Sequence, residues 1–272
     1  MKVMPDSLQV AVFDTAFHQS IRPEAYLYAL PYELYKKYGI RRYGFHGTSH
    51  RFVADRAKEY LKHIPPTEQK IVTCHMGNGS SITAVKGGLS VDTSMGLTPL
   101  EGLIMGTRCG DVDPAAILYI MDSQGLTLTE IDTLMNKRSG LYGISGVTND
   151  MRELKERAGK GNTRCQLAIK MFAYRVKKYI MAYGGAMGGL DAIVFTGGIG
   201  ENDCSIREMI CSDLEFAGIL MDKEKNQATQ GEGAVHQKSS KVGILVIATN
   251  EELVIARDAR EVYLEQMKQK AA

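Results

Sequence analysis

The chain has 272 residues, of which 44% are hydrophobic and 24% are charged, and its formal net charge is +2. This composition is typical of a globular protein of one large domain or two, and the scattered charges exclude the basic stripe of a nucleic-acid-binding protein. No apolar run approaches the roughly 20 residues that span a bilayer, so we expect neither nucleic acid nor a membrane as partner. The five cysteines include no Cys-x-x-Cys pair and favour free thiols in a reducing cytoplasm.

The first predicted element is a strand at Leu8–Phe13, with Asp14 at its carboxyl end. Strand ends in α/β folds carry ligand-binding side chains, but Asp is also a common turn residue, so both interpretations of Asp14 stay open. Residues 22–38 are rich in Tyr and Leu and contain Pro31, which predicts a surface excursion.

The segment Tyr43–His50 leads into a predicted helix. His46 and His50 are four residues apart, but His46 precedes the helix and the Glu of a His-Glu-x-x-His zinc motif is missing. A metal pair is therefore disfavoured. A histidine on a loop before a helix can instead place a proton or a positive charge beside a reacting group.

A glycine-rich hairpin follows. Ile71–Cys74, Ser81–Val85 and Leu89–Val91 predict three strands, and the first two are joined by Gly77-Asn78-Gly79. Such a turn exposes backbone N–H groups that can hold phosphate oxygens. An ordinary hairpin with an Asn-Gly turn fits this stretch equally well.

Ser94–Pro114 predicts a long loop, which is more often functional than idle. Arg108 lies between Gly106 and Gly110 and can reach an anion as a planar fork of donors, although a solvated surface arginine is the alternative. A helix is predicted from Pro114 through Met121.

Two further glycine segments frame the second half of the chain. Ser139–Gly146 predicts a loop, and a long helix follows Asp150 and ends at Gly184-Gly185, with an apolar stripe that is either core or a subunit contact. A strand at Asp191–Thr196 runs into a turn at Gly197–Asn202, which is an arrangement that can hold a nucleotide.

The helix after this turn is predicted to begin at Ser205, with Glu208 completing a capping box. A polar excursion at 222–241 separates it from a last strand at Gly243–Ala248. The final helix is predicted to be capped by Thr249 and Glu252.

Six segments, spread over nearly the whole chain, resemble the acetate kinase family, which belongs to the sugar kinase, Hsp70 and actin superfamily. The segments are Val12–His18, Tyr43–His50, His75–Ser81, Asp92–Pro114, Phe195–Asn202 and Thr249–Asp258. The resemblance implies an α/β fold, namely an actin-like (ribonuclease H-like) ATPase domain whose mixed sheet is flanked by helices. It also implies a homodimer that phosphorylates acetate to acetyl phosphate, reversibly and with magnesium.

The same resemblance implies roles for individual residues. Asp14, His46 and Arg108 would be catalytic, Phe45 with Pro99 would form part of the acyl pocket, and Glu251 would help hold Mg2+. The residues implied to bind ATP or ADP are His75, Gly77, Asn78, Gly79, Asp150, Met151, Arg152, Gly198, Ile199, Gly200, Glu201 and Asn202.

One departure from the family concerns its N-terminal segment, whose Asn-x-Gly-Ser-Ser-Ser turn is absent from this sequence. We therefore expect 1–14 to be a remnant strand of the N-terminal domain, 15–250 to be the C-terminal nucleotide-binding and dimerisation domain, and 251–272 to be a helix that packs on the missing domain. Apolar residues of that helix, Leu253, Val254, Ala256 and Val262, would lose their cover. The alternatives are an inactive nucleotide-binding fragment and a propionate or butyrate kinase.

Overall fold

The computed structural model describes residues 7–271, and for 270 and 271 it describes the backbone alone. The helices are α1 Pro23–Tyr26, α2 Tyr32–Tyr38, α3 Gly47–Ala57, α4 Pro114–Gln124, α5 Leu128–Lys137, α6 Gly140–Ser145, α7 Met151–Gly159, α8 Thr163–Met187, α9 Gly197–Asn202, α10 Cys204–Cys211, α11 Lys223–Ala228 and α12 Glu251–Ala271. The strands are β1 Lys70–Met76, β2 Ser80–Lys86, β3 Leu89–Thr93, β4 Ala192–Thr196, β5 Gly233–Ala234 and β6 Gly243–Val246.

The strands form one mixed sheet in the order β3-β2-β1-β4-β6-β5. β1, β4 and β6 are parallel neighbours, whereas β2, β3 and β5 pair antiparallel. Helices cover both faces, which confirms the predicted α/β class. No helix in residues 7–271 is long and apolar enough to cross a bilayer.

The alternation of side chains along β1 decides what each face of the sheet contacts. Val72, Cys74 and Met76 pack into the larger core cluster, which is built around α8. Ile71 packs on the opposite face against α3. Because side chains alternate along a strand, Thr73 and His75 fall on the α3 face as well. The apolar cover on that face thus gives way to polar residues toward the carboxyl end of β1.

Most of the apolar stripe of α8 belongs to the core of this chain. Ala168, Phe172, Val176, Ile180 and Tyr183 are all at most 4% exposed and lie in the larger cluster. The core interpretation is therefore confirmed for these five residues, whereas Met171 of the same stripe is 37% exposed.

Several predicted boundaries were wrong. Leu8–Phe13 forms no strand, because it pairs with no strand of the sheet, and Phe13 is exposed. The rest of the predicted remnant strand, residues 1–6, lies outside the described residues. The predicted loop at Ser139–Gly146 contains α6, and the predicted turn at Gly197–Asn202 is α9.

The predicted long helix is two helices, α7 and α8, and the second is capped by Asn162. It runs past Gly184-Gly185 to Met187, because Gly188 at φ 69° supplies the left-handed residue that ends it. Asp203, rather than Ser205, caps α10 by accepting a hydrogen bond from the Ile206 N–H.

The last helix also differs from the prediction. Asn250, rather than Thr249, accepts the capping hydrogen bond, which comes from the Leu253 N–H. Val254 is buried, because α12 packs on α3, and Arg51 forms an ion pair with Asp258 across that contact. Leu253, Ala256 and Val262 are exposed, as expected.

Candidate active site

Three parallel strands deliver the predicted site residues to one edge of the sheet. The turn at Gly77–Gly79 follows β1, α9 follows β4, and Glu251 follows β6. Because β1, β4 and β6 run parallel, their carboxyl ends meet at the same edge. This is the location in open α/β sheets where ligands bind.

His46 is held in an unusual backbone conformation at this edge. Its φ is 56°, in the left-handed region, which for a residue with a Cβ costs on the order of 1–2 kcal/mol. Asp14 compensates: its Oδ2 accepts a hydrogen bond from the His46 N–H at 2.6 Å, and its carbonyl oxygen accepts one from the Gly47 N–H at 2.8 Å. Asp14 therefore fixes the start of α3 and the position of the His46 ring.

His46 and Arg108 converge on the glycine turn. A Cβ placed on Gly79 would lie 3.5 Å from Nη1 of Arg108 and 3.6 Å from Nε2 of His46. The two cationic or polar side chains thus flank the same point beside Asn78, and the absent side chain of Gly79 leaves room between them. The structure brings these three sequence-predicted residues together.

The loop that carries Arg108 is anchored to this turn. The Gly106 N–H donates to the carbonyl oxygen of Asn78 at 2.9 Å, and a Cβ on Gly106 would collide with Oδ1 of Asn78 at 2.0 Å. The amide of Asn149 donates to the same Oδ1 at 2.9 Å. Nη1 of Arg108 donates to the Pro99 carbonyl oxygen at 3.0 Å, so the planar fork has a defined direction.

Four histidines gather behind the turn. The rings of His46 and His75 are tilted by 30° with centroids 4.3 Å apart, and those of His18 and His50 lie with centroids 5.9 Å apart. Burial lowers the pKa of His18 to about 4 and that of His75 to about 3. Burial also lowers the pKa of His46 and, more strongly, that of His50, so these rings are uncharged near neutral pH.

A cleft of about 660 Å³ opens on the other side of the turn. Eight of the twelve residues predicted to bind the nucleotide line it: Gly77, Asn78, Asp150, Met151, Arg152, Gly198, Ile199 and Asn202. Asp150 caps α7, and the hydrogen bond from Arg152 lowers the pKa of Asp150 to about 2, so this wall of the cleft carries a fixed carboxylate.

The other four predicted nucleotide ligands do not line the cleft. His75 and Gly79 lie on the His46 side of the turn. Gly200 is buried, and a Cβ there would lie 3.4 Å from Met76 Cε. Oε1 of Glu201 accepts hydrogen bonds from the Gly197 N–H at 2.9 Å and the Thr249 N–H at 3.3 Å, so this carboxylate ties the end of β4 to the segment after β6.

Glu251 and Asp14 lie close enough to influence one another. Burial, together with the negative charge of Asp14, raises the pKa of Glu251. A cation beside Glu251 would relieve that repulsion, so the site fits a hard divalent ion such as Mg2+ that is completed by phosphate oxygens and water. Within residues 7–271, no group of three or more His, Cys, Asp and Glu residues forms a complete metal cage.

Phe45 and Pro99, the predicted acyl-pocket residues, are half-buried beside the two residues that flank Gly79. Phe45 precedes His46 and accepts a hydrogen bond from Nε2 of His18 through its carbonyl oxygen, at 3.0 Å. Pro99 contacts Arg108 as described above. Both therefore border the same site.

Sequence reasoning missed several residues here. Asn149, Lys155 and Asp203 also line the cleft, and Lys155 donates to Asp203 at 2.8 Å. The helical period could have found Lys155, which lies one turn after Met151 on α7. No pattern in the sequence indicates that His50 and Ser81 contact one another, because that contact depends on how α3 lies on the sheet.

Comparisons with known proteins identify the family of this chain. A model of the acetokinase family matches residues 1–257. The acetate kinase of Halothermothrix orenii is 58% identical over 96% of this chain and 65% of its own length. The acetate kinase of Methanosarcina thermophila is 57% identical over 96% of this chain and 64% of its own length.

Two solved structures are similar as well. Porphyromonas gingivalis acetate kinase superposes with a TM-score of 0.93 at 48% identity, over 96% of this chain and 66% of that one. A propionate kinase from Francisella tularensis superposes with a TM-score of 0.87 at 49% identity, over 94% of this chain and 65% of that one. The chain thus spans about 65% of the length of the curated relatives it matches. With this coverage and the shared fold, the resemblance found in the sequence is confirmed: the chain belongs to the acetokinase family.

Proposed function

We propose that this chain is the nucleotide-binding part of an acetate kinase, which transfers the γ-phosphoryl group of ATP to the carboxylate of acetate. The observation that carries the proposal is the convergence of His46 Nε2 and Arg108 Nη1 on the space beside Gly79. That space adjoins the cleft in which the nucleotide would lie. The family's known members support the same reaction.

The chemistry accounts for these residue types. A phosphoryl group in transfer carries negative charge spread over three equatorial oxygens in a loose transition state. Fixed donors aimed at those oxygens stabilise that state without reorganising at the moment of reaction. Arg108 supplies a permanent positive charge, and His46 supplies a second donor from the opposite side of Gly79. Acetate is ionised at pH 7, since carboxyl groups titrate near ~4, and so needs no general base.

Asp14 acts in this proposal through His46, whose backbone it holds. Glu251 would help hold Mg2+, which, when bound, would neutralise charge on the phosphate oxygens. Phe45 and Pro99 would form the apolar side of the acyl pocket. The eight predicted residues that line the cleft would hold ATP or ADP. His75 would lie behind His46, and Gly200 and Glu201 would shape α9.

A hydroxamate assay tests the proposal directly. The 272-residue chain, supplied with ATP, Mg2+ and hydroxylamine, should form hydroxamate from acetate. Propionate and butyrate are compared in parallel, because the propionate kinase of Francisella tularensis is among the similar structures. Nucleotide binding without hydroxamate would favour a non-catalytic nucleotide-binding chain, and the absence of both would overturn the proposal.

The division of labour between Arg108 and Asp14 has its own test. Arg108→Ala should lower the rate of acetyl phosphate formation by on the order of a thousandfold, since an arginine that contacts the transferred group accelerates phosphoryl transfer by at least that factor. Asp14→Asn keeps an oxygen that can accept the His46 N–H and should cost much less. The reverse ranking would contradict these roles.

We also propose that two copies associate through α4. Although apolar in composition, α4 has no buried residue, and Leu118 and Tyr119 are 68% and 73% exposed. The family resemblance implies a homodimer, and a second copy of the chain would cover these two side chains. Sedimentation velocity should show a dimer that Leu118→Glu dissociates, whereas Phe216→Glu, exposed on another element, should not. A cytoplasmic location completes the proposal and is tested by cell fractionation.

A further inference from the structure

A chain of hydrogen bonds runs from the sheet to the catalytic face of His46. Oγ of Ser81 lies 2.9 Å from Nδ1 of His46 and 2.6 Å from Nε2 of His50. Nδ1 of His50 in turn lies 2.7 Å from Oγ1 of Thr73. Ser81, His50 and Thr73 are completely buried, so no solvent competes for these bonds. The chain therefore has a fixed set of members.

Because a hydroxyl group carries one proton, the chain of neutral rings has two consistent directions. In the first, Thr73 donates to His50 Nδ1, His50 Nε2 donates to Ser81, and Ser81 donates to His46 Nδ1. His46 then carries its proton on Nε2. In the second, every bond is reversed, and His46 Nε2 is left with a bare lone pair.

Geometry favours the first direction. When the chain is reversed, the Thr73 hydroxyl must donate elsewhere, and the acceptor at hand is the Thr83 carbonyl oxygen at 3.5 Å. That distance is at the limit of a hydrogen bond, so the reversed chain leaves a buried hydroxyl proton poorly satisfied. In the first direction the same proton is donated to His50 across the 2.7 Å contact. The burial that keeps both rings neutral leaves the choice of tautomer to these bonds.

We infer that Ser81 is a positioning residue: together with His50 and Thr73, it holds His46 as the Nε2–H tautomer, so that an N–H faces the space beside Gly79. A lone pair in that place would repel a phosphoryl oxygen, and an N–H attracts it. The catalytic value of the tautomer depends on the proposed function, but the tautomer itself does not.

The test reads the tautomer by NMR. The protein has six histidines, so labelling them with 15N gives few signals, and His46→Gln assigns those of His46. A protonated and a bare ring nitrogen resonate far apart. In the native chain, His46 should show a single tautomer with its proton on Nε2. In Ser81→Ala, its signals should move to those of a mixture of tautomers.

Two further variants make the result specific. Ser90→Ala removes an equally buried serine that bonds Nδ1 of His18 at 2.9 Å, and it should leave the His46 signals unchanged. Thr73→Val removes the hydroxyl group that donates to His50 and keeps Ser81, so it tests the hydrogen-bond chain even if Ser81→Ala does not fold. It should also mix the His46 tautomers.

The inference is overturned if native His46 carries its proton on Nδ1. It is also overturned if both Ser81→Ala and Thr73→Val fold and keep the native His46 signals. A native Nε2–H tautomer in a chain that forms no hydroxamate would leave this inference standing and count against the proposed function alone, so the two failures are distinguishable.

Discussion

The fold does not require glycine at position 79. Its φ is not in the left-handed region, and a Cβ there would make only ordinary contacts, 3.5 Å and 3.6 Å from Arg108 and His46. Neither backbone strain nor crowding therefore requires glycine. The space that a methyl group would take is the space between the two side chains that would face the phosphoryl group.

Gly79→Ala should thus separate stability from activity. We expect the free energy of unfolding to change by less than about 0.5 kcal/mol, as for substitutions without a clash. Acetyl phosphate formation should fall by on the order of a hundredfold, since displacing a reacting group by about 1 Å has that effect. Urea unfolding and the hydroxamate assay measure the two quantities.

The matched control is Gly185→Ala, in α8, where an added Cβ meets nothing within 4 Å. It should leave the rate unchanged and add up to about 1 kcal/mol of stability, because alanine is the better helix former. A native rate in Gly79→Ala would mean that the transferred group passes elsewhere.

At the scale of elements, one buried arginine holds α9 in place. Arg207 is 1% exposed, and Nη1 donates to the carbonyl oxygens of Gly200 and Glu201 at 2.8 and 2.9 Å. Nε and Nη2 donate to the side chain and the carbonyl oxygen of Asn226 on α11, at 2.8 and 3.0 Å. A charged donor thus satisfies the last carbonyl groups of the helix that lines the cleft.

Arg207→Leu should destabilise the chain by on the order of 3 kcal/mol, because these buried acceptors lose their charged donor and regain no water. Urea unfolding measures this loss. The comparison variant is Arg152→Ala: its side chain is 91% exposed and pairs with Asp150, so we expect less than about 1 kcal/mol. Similar losses for the two variants would show that the Arg207 hydrogen bonds contribute no more to the free energy of unfolding than an exposed ion pair does.

The elements that the sequence predicted well are those with a long periodic signal. The strands β1, β2, β3, β4 and β6 begin and end within a few residues of their predicted bounds, and α8 ends within a few residues of its predicted end. α6 and α9, with six residues each, were interpreted as loop and turn. A helix of that length has too few turns to show a period, and its glycines indicate a turn.

The candidate site divides in a similar way. The roles of Arg108, His46 and the Asn78 turn are implied by the family resemblance of their segments, and the structure places these residues beside one another. Glu201 could not be placed, because its bonds to Gly197 and Thr249 depend on how β4 and β6 lie side by side. The contact of Ser81 with two histidines likewise depends on the register of β2 on β1, where Ser81 is opposite His75.

For the whole molecule, the buried histidines predict how stability depends on pH. Burial lowers the pKa of His18 from 6.5 to about 4 and that of His75 to about 3, and it lowers those of His46 and His50 too. Below pH 6.5, the unfolded chain therefore binds protons that the folded chain does not bind. Stability from this source is complete above pH 6.5 and is lost as the pH falls toward 4.

The free energy of unfolding should fall by about 1.4 kcal/mol per pH unit for each histidine that stays neutral in the fold. Urea midpoints measured from pH 7 to pH 5 test this. His18→Gln should reduce the slope by one such increment, whereas His63→Gln, which replaces an exposed histidine, should not change it. If His18→Gln leaves the slope unaltered, His18 takes up its proton within the folded chain. The charged ring would then keep its hydrogen bond to the Phe45 carbonyl oxygen.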